Sequence, residues 1–576
     1  MRKLRWFFAV TALFMAMSLQ MNAQFDVVVM DLEEEGTPTV ELNRFFDNDN
    51  DVVNNYISEM LDYEGEELCI LLKMYEQSEG AQKEQIEKAL EKIAVYVGKS
   101  KGLEDNKTMG LILESYVRSA NDTRDGLFLL SLYKYFITDD DVRRMIYLID
   151  DETYADMAIR VMAEAQGFAE CVNKIVGKGD PDLKHKDAYA YAIGKLKMTE
   201  LEDVLKSGLH KADDNLRIEV YNALLRFDDP SLKPFIEKGA KKLYKKKAPK
   251  TKMAGMDLLV AVKGSEAMPY LYKALKNKDR EVRREALDLM IPYANEEVSA
   301  LVVKKYAKKD ATADVVRWIG LIYDKSQSAY VVSQLSSDND AVVEEAIRTV
   351  IRMEIPEGLN VVKTMFGGKY QPVIKEALVE SKTDMALLLK DAIKGNDHKK
   401  LCVLEILQER RCVAMYYNVV ELLNSSNYDV KDAAYKALKN VVAATMGESL
   451  KPILEQCDEA YVADVQEAVK TAMKKAKPDQ KDTFVMTLKH VKPEDLYRYY
   501  KIFAYFGTPT SVEKLVEAYN SGNNKEEALE AILLLNNKEY APIIKALADK
   551  HDENSEQLQR HYNKLFGKGH IGHAEK

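Results

Sequence analysis

One pattern limits what this chain can fold into more than any other: an amphipathic helix pair that recurs at a nearly constant step. It is clearest in MPYLYKALKNKDREVRREALDLM, Met268 to Met290. Leu271, Ala274 and Leu275 fall on one face of a first helix, and KNKD, Lys276 to Asp279, breaks the period. Asp279 is the expected N-cap of a second helix, because its carboxylate can accept from backbone N–H groups two or three residues on. Val282, Ala286, Leu289 and Met290 then form the apolar stripe of that helix, with Ala286 small where the two helices come closest. Such a pair has one apolar side that it cannot bury alone, so it requires a neighbour stacked on it.

Neighbours occur on both sides. Small or short residues central to successive second helices fall at Ala158, Ala188, Val220, Gly255, Ala286, Gly320, Ala346, Ala377, Cys402, Ala434, Ala468, Ala504 and Ala528, a mean step of about 31 residues. The clearer copies are DNDAVVEEAIRTV (Asp338 to Val350), YDVKDAAYKAL (Tyr428 to Leu438) and DDNLRIEVYNALL (Asp213 to Leu225). Composition agrees. Only 26 Gly and 14 Pro among 576 residues favour helix over a β-sandwich or barrel, which needs many more turn residues, and a 47% hydrophobic content is ample for a core.

The pattern resembles the HEAT repeat, in its short bacterial HEAT-like form. Asp279, Val282, Arg283 and Ala286 carry the resemblance, with partial echoes at Val342 and Ala346, at Val430, Lys431 and Ala434, and at Leu216 and Arg217. The resemblance implies an all-α fold, an α-solenoid in which about thirteen to fifteen antiparallel helix pairs stack into a right-handed superhelix. It also implies that the turn acid and the second-helix arginine knit successive repeats; Val343 and Lys431 stand where other copies would carry that arginine. A repeat array of this kind is usually a binding surface and implies no particular ligand.

The ends differ from the middle. Arg2, Lys3 and Arg5, an apolar run from Trp6 to Leu19 and Met21-Asn22-Ala23 before Gln24 read as a secretory signal peptide over 1–23; the alternative, an uncleaved anchor, has too short a run for the about 20 residues that span a bilayer. Residues 24–51 form an extended or irregular arm, 52–140 a helical part with degenerate repeats, 141–550 the HEAT-like array, and 551–576 a helix end and a polar, Gly-rich tail. The expected location is periplasmic or extracellular, with no transmembrane segment in the mature chain. Net charge is −10, and loss of Arg2, Lys3 and Arg5 makes it more negative by three, which argues against nucleic acid as a partner.

Sites of chemistry are scarce. Asp47, Asp49 and Asp51 alternate as in a calcium loop, but Val52 and Ser58 occupy the positions that need Gly and Glu, so a helix-capping turn is the preferred reading. His551, His561, His570 and His573 crowd the C-terminus without a scaffold that would hold metal ligands. The five cysteines are scattered and odd in number; Cys402 and Cys412 are near enough in sequence for pairing to stay open. No HExxH, GxSxG, P-loop or CxxC occurs, so no catalytic residue, metal site or cofactor is assigned.

Two surface features remain. Between Lys233 and Lys252 there are nine lysines and one acid, Glu237; Lys238, Lys241, Lys242, Lys245, Lys246 and Lys247 make the candidate binding patch, with Phe235, Ile236 and Leu243 turned inward. It reads either as a solvated helix and loop or as a docking patch for an acidic protein, an anionic glycan or an anionic membrane. Tyrosine is abundant at 32, with Tyr497, Tyr499, Tyr500 and Tyr505 on one helix and Tyr416 and Tyr417 opening another. Exposed tyrosines suit a protein interface or a sugar, while helix packing accounts for them equally well. The expected function is an exported, non-catalytic scaffold that binds a protein, with a carbohydrate or envelope-polymer binder that uses the Tyr rows and the Lys-rich patch as the alternative.

Overall fold

The computed structural model describes residue 40 and residues 42–46, 50–61, 66–100, 103–120, 122–177, 183–308, 311–522, 524–550 and 552–566. The signal segment 1–23, most of the 24–51 arm including Asp47 and Asp49, His551 and the tail from Gly567 with His570 and His573 lie outside the described residues. Every regular element among the described residues is a helix. The chain divides into two compact units, Met1–Val262 and Lys263–Lys576, and each is an α-solenoid of antiparallel helix pairs.

The first unit opens on a short 3-10 turn, Leu42–Phe46. Its Phe45 is fully buried with its ring 5.0 Å from that of Tyr56, and Lys92 Nζ donates to the Phe45 carbonyl at 2.6 Å. Further along, Asp125 is buried but satisfied, since Lys83 Nζ lies 2.7 Å and the Tyr75 hydroxyl 3.1 Å from its carboxylate. Burial, reinforced by that negative charge, drives the Tyr75 phenol far above its ordinary range, so it stays a donor.

From Ala155 the repeat pattern sets in. The second helices Ala155–Met162, Lys186–Lys195 and Asp214–Arg226 pack on one another in sequence, with Ala158, Ala188 and Val220 buried. Backbones meet closely at Gly194, where a Cβ would lie 2.4 Å from Ala223 Cα, so only hydrogen fits. Arg160 spans all three helices, pairing with Asp156 at 3.0 Å, Asp187 at 3.2 Å and Glu219 at 3.0 Å. Burial works against its charge, and the carboxylates more than offset that, so the guanidinium is held more firmly protonated than usual.

The second unit repeats the scheme over more pairs. Its second helices are Arg280–Met290, Ala311–Ile322, Asp340–Met353, Gln371–Glu380, Asp397–Glu409, Tyr428–Val441, Val462–Met473, Tyr497–Phe506 and Lys525–Ile532, and each packs on the next. All the small-residue positions read from the sequence, Ala158 to Ala528, fall on second helices, Gly255 on Pro249–Lys263, and are buried. In the 268–290 pair, Met268–Ala274 and Arg280–Met290 are the two helices, and Asp279 caps the second by accepting from Glu281 N at 2.9 Å and Val282 N at 3.4 Å.

One assignment in that pair is corrected. Leu289 is only partly buried and Leu287 takes its place in the core beside Val282, Ala286 and Met290. At about 100° per residue the buried face is centred near Met290, with Leu287 about 60° round from it and Leu289 about 100°.

The last pair is tied down by Asp552, which accepts from the Tyr519 hydroxyl at 2.7 Å, Lys525 Nζ at 3.0 Å and Asn554 N at 3.0 Å. Its partial burial favours the neutral acid, but these donors outweigh it and lower the carboxyl to about 2.

Two outcomes follow from this packing. Gly194→Val overpacks the Lys186–Lys195 and Asp214–Arg226 contact and is expected to cost about 1–3 kcal/mol, read as a lower thermal midpoint and faster amide exchange in those two helices. Asp552 titrates lower in the folded chain than the roughly 3.9 of an unfolded aspartate, so its stabilisation is complete above pH about 4 and is lost as pH falls toward about 2. Asp552→Asn should therefore flatten the acid limb of stability in that window, measured by exchange in helix Ser555–Phe566 as a function of pH.

Candidate interaction surfaces

The repeat-signature residues serve the stack itself. Arg283 is buried, and its Nη1 donates to the Asn277 carbonyl at 3.0 Å and the Lys278 carbonyl at 2.9 Å, closing the turn that Asp279 caps. Ties to the next repeat run beside it: Asp314, 1% exposed, accepts from Arg280 at 3.1 Å and Arg284 at 2.9 Å, while Asp288 and Arg317 form a two-bond pair at 3.0 and 3.1 Å. Among the described residues Arg283 thus ties its own turn and not the next repeat as expected, whereas Lys431, in the equivalent place, does reach forward, to Asp458 at 2.6 Å. Where the sequence has Val343, the tie moves to Asp340, which accepts from Lys369 at 2.7 Å and the Tyr370 hydroxyl at 3.0 Å.

The lysine-rich stretch forms helix Lys233–Tyr244, a turn, and the start of helix Pro249–Lys263. Ile236, Ala240, Leu243 and Tyr244 bury the inner face, and Gly239 is pressed on Tyr221 so closely that a Cβ would meet the ring at 2.0 Å. Phe235 departs from its expected inward position: it is 37% exposed, its ring 6.0 Å from that of Tyr221 and 5.4 Å from Lys206 Nζ. It lies off the buried stripe because Ile236 and Gly239 already fill the contact. Lys241 pairs with Glu237 at 2.7 Å, Lys246 with Asp214 at 3.1 Å, and Lys252 rests 4.7 Å over the Tyr244 ring. Lys238, Lys242, Lys245 and Lys247 are exposed. Pro234, Glu237, Lys238, Lys241, Lys242 and Lys245 line a shallow depression of ≈ 370 Å³.

The tyrosine-rich helix Tyr497–Phe506 does not present a row. Tyr499 and Tyr500 are buried, the Tyr499 hydroxyl donating to Glu455 at 2.7 Å and that of Tyr497 to Glu459 at 2.6 Å. The pair opening helix Tyr416–Leu422 splits, Tyr416 inward and Tyr417 79% exposed. Leu387, at the same register of the preceding first helix Ala386–Ala392, is 77% exposed, and that helix packs on the turn that leads into Tyr416. Tyr428, at the start of the adjoining second helix, is 69% exposed. In the sequence, the alignment of MALLLKDAI with MYYNVVELL puts Leu387 and Tyr417 one place off the buried register, a signal that marks Leu387 and leaves Tyr428 unmarked.

All five cysteines are free thiols, so Cys402 and Cys412 are separate, and both are buried. Burial raises each of these two thiols above its ordinary value, which keeps them protonated. His561 lies 2.9 Å from the Leu535 carbonyl. Among the described residues no group of His, Cys, Asp or Glu converges as metal ligands, and no helix is long and apolar enough to cross a membrane.

The class these features define is an all-α solenoid of stacked helix pairs. No protein-family model matches the chain, and no curated protein matches it in sequence. Among solved structures it is similar to Kap95p, from work on how Kap95p binding acts on RanGDP, at 11% identity and a TM-score of 0.31 over 91% of this chain and 81% of that one. It is also similar to She4p, at 10% identity and a TM-score of 0.27 over 97% and 98% of the two chains. With Kap121p bound to Nup53p the identity is 12% and the TM-score 0.25, over 91% of this chain and 56% of Kap121p. At these values the likenesses carry no functional assignment.

Asp314→Ala removes the acceptor shared by Arg280 and Arg284 and is expected to destabilise by about 1–3 kcal/mol. Arg284→Ala should cost less, since Arg280 keeps the carboxylate paired; amide exchange in helices Arg280–Met290 and Ala311–Ile322 would rank the two.

Proposed function

We propose that the protein is an exported, non-catalytic scaffold of short bacterial HEAT-like repeats whose task is to bind a partner protein. One observation carries the reading: Leu387 and Tyr417 stand 77% and 79% exposed at one register of consecutive first helices, with Tyr428, 69% exposed, on the helix that follows. A single exposed apolar residue is ordinary. Large ones repeated at the same register of stacked helices place anchors on a rigid frame, and tyrosine contributes ring area at little entropic cost while its hydroxyl stays hydrated. Periplasmic or extracellular location rests on the N-terminal sequence, and the absence of an assigned reaction rests on the lack of any catalytic motif.

The second reading, a carbohydrate or envelope-polymer binder, draws on the same Tyr417 and Tyr428 rings. Tyr435 and Tyr461, stacked at 4.1 Å and 5°, are themselves buried, so the rings left to meet a sugar there are those of Tyr417 and Tyr428. A photo-crosslinking amino acid at position 417 in living cells separates the two. A protein scaffold yields one discrete crosslinked polypeptide, lost when Leu387→Glu is added and not formed from a crosslinker at exposed Met486. A polydisperse, glycosidase-sensitive product at 417 would overturn the protein reading. Fractionation of the same cells tests export, and retention in the cytoplasm would refute it.

A further inference from the structure

We infer that helix Lys233–Tyr244 and the turn after it form a docking face for an anionic membrane surface. Pro234, Lys238, Lys241, Lys242 and Lys245 recur at helical spacing along one stripe, and Phe235 stands at its edge, three and seven positions before Lys238 and Lys242. The opposite face is locked into the core by Ile236, Ala240 and Leu243 and by the contact of Gly239 with Tyr221, so the charges are presented from a rigid base. Among the described residues Lys241 and Lys246 have carboxylate partners in Glu237 and Asp214. Lys238, Lys242, Lys245, Lys247 and Lys250 are exposed and form no ion pair with any described residue.

Three features favour a lipid surface over a soluble acidic chain. Every cation in the stretch is lysine: a hydrated point charge suits laterally mobile lipid phosphates, whereas a particular carboxylate on a peptide is better held by the two-pronged guanidinium of arginine. The depression along the stripe is open and lined mostly by lysines, a broad cationic contact of the kind that a headgroup layer meets. Phe235 supplies the apolar wedge that enters the headgroup boundary while neighbouring lysines meet phosphates. The rest of the molecule reinforces the orientation. With a net charge of −10 the chain as a whole is repelled by an anionic surface, so approach through this face is the favourable one.

The test uses the full chain carrying Phe235→Trp, compared with the unsubstituted chain, whose tryptophans are Trp6 and Trp318. A blue shift from position 235 is expected with phosphatidylglycerol–phosphatidylcholine vesicles and not with phosphatidylcholine alone. It should reverse on raising salt from about 0.1 M to about 1 M, where the Debye length shrinks from about 10 Å to about 3 Å. Replacing Lys238, Lys242, Lys245 and Lys247 together with Gln in this background should lower vesicle affinity by about 100-fold or more with the thermal midpoint unchanged, since these lysines are exposed and unpaired. Because the probe sits at residue 235, attachment through the apolar N-terminal segment leaves it silent. No shift with anionic vesicles, or an equal shift with phosphatidylcholine alone, overturns the inference. So does an equal shift with soluble polyglutamate, which would assign the face to an acidic polypeptide.

Discussion

Everything in this protein depends on the burial of one helix face by the next repeat. A pair such as Met268–Ala274 and Arg280–Met290 exposes an apolar side that water will not tolerate, and the side is closed only when another pair is laid against it. Small residues set how near the layers come. Ala286 and Ala346 are fully buried at such contacts, and Gly194 is excluded from growing even a methyl group by the backbone of Ala223. Within each unit the stack is therefore nearest-neighbour in character, each repeat stabilised by the one before and the one after.

Over this apolar frame lies a set of polar ties about one repeat long. Arg160 to Asp187, Asp288 to Arg317, Asp340 to Lys369 and Lys431 to Asp458 each join adjacent pairs. Partly exposed pairs of this kind contribute little net free energy individually. Their value lies in register, because a displaced neighbour would leave charges such as the buried Asp314 without donors in place. The partners differ from repeat to repeat, as Lys431 and Asp340 illustrate, while the spacing persists. Geometry at the interface is thus more constrained than residue identity.

The outward faces are free to carry function because the inner ones carry stability. Lysines on Lys233–Tyr244 and the large apolar side chains at 387, 417 and 428 contribute nothing evident to the core, and their exposure is what distinguishes them. The two surfaces differ in chemistry: one is a diffuse positive charge with an aromatic edge, the other a set of discrete apolar anchors. They lie in different units, the first before Val262 and the second after Lys263.

Read alone, the sequence established the all-α class, the repeat step, the cap at Asp279 and the burial of the small residues from Ala158 to Ala528. These are local or periodic properties: an N-cap depends on three neighbouring residues, and a helical stripe declares itself within a few turns. What it left undecided were choices made between elements. Leu287 rather than Leu289 enters the core, Phe235 turns outward, Tyr499 and Tyr500 turn inward, and Asp314 becomes the shared acceptor for two arginines one repeat away. Each depends on where the neighbouring helix lies and how close it comes, and a 31-residue period specifies that a neighbour exists without specifying the rotation of the face it meets.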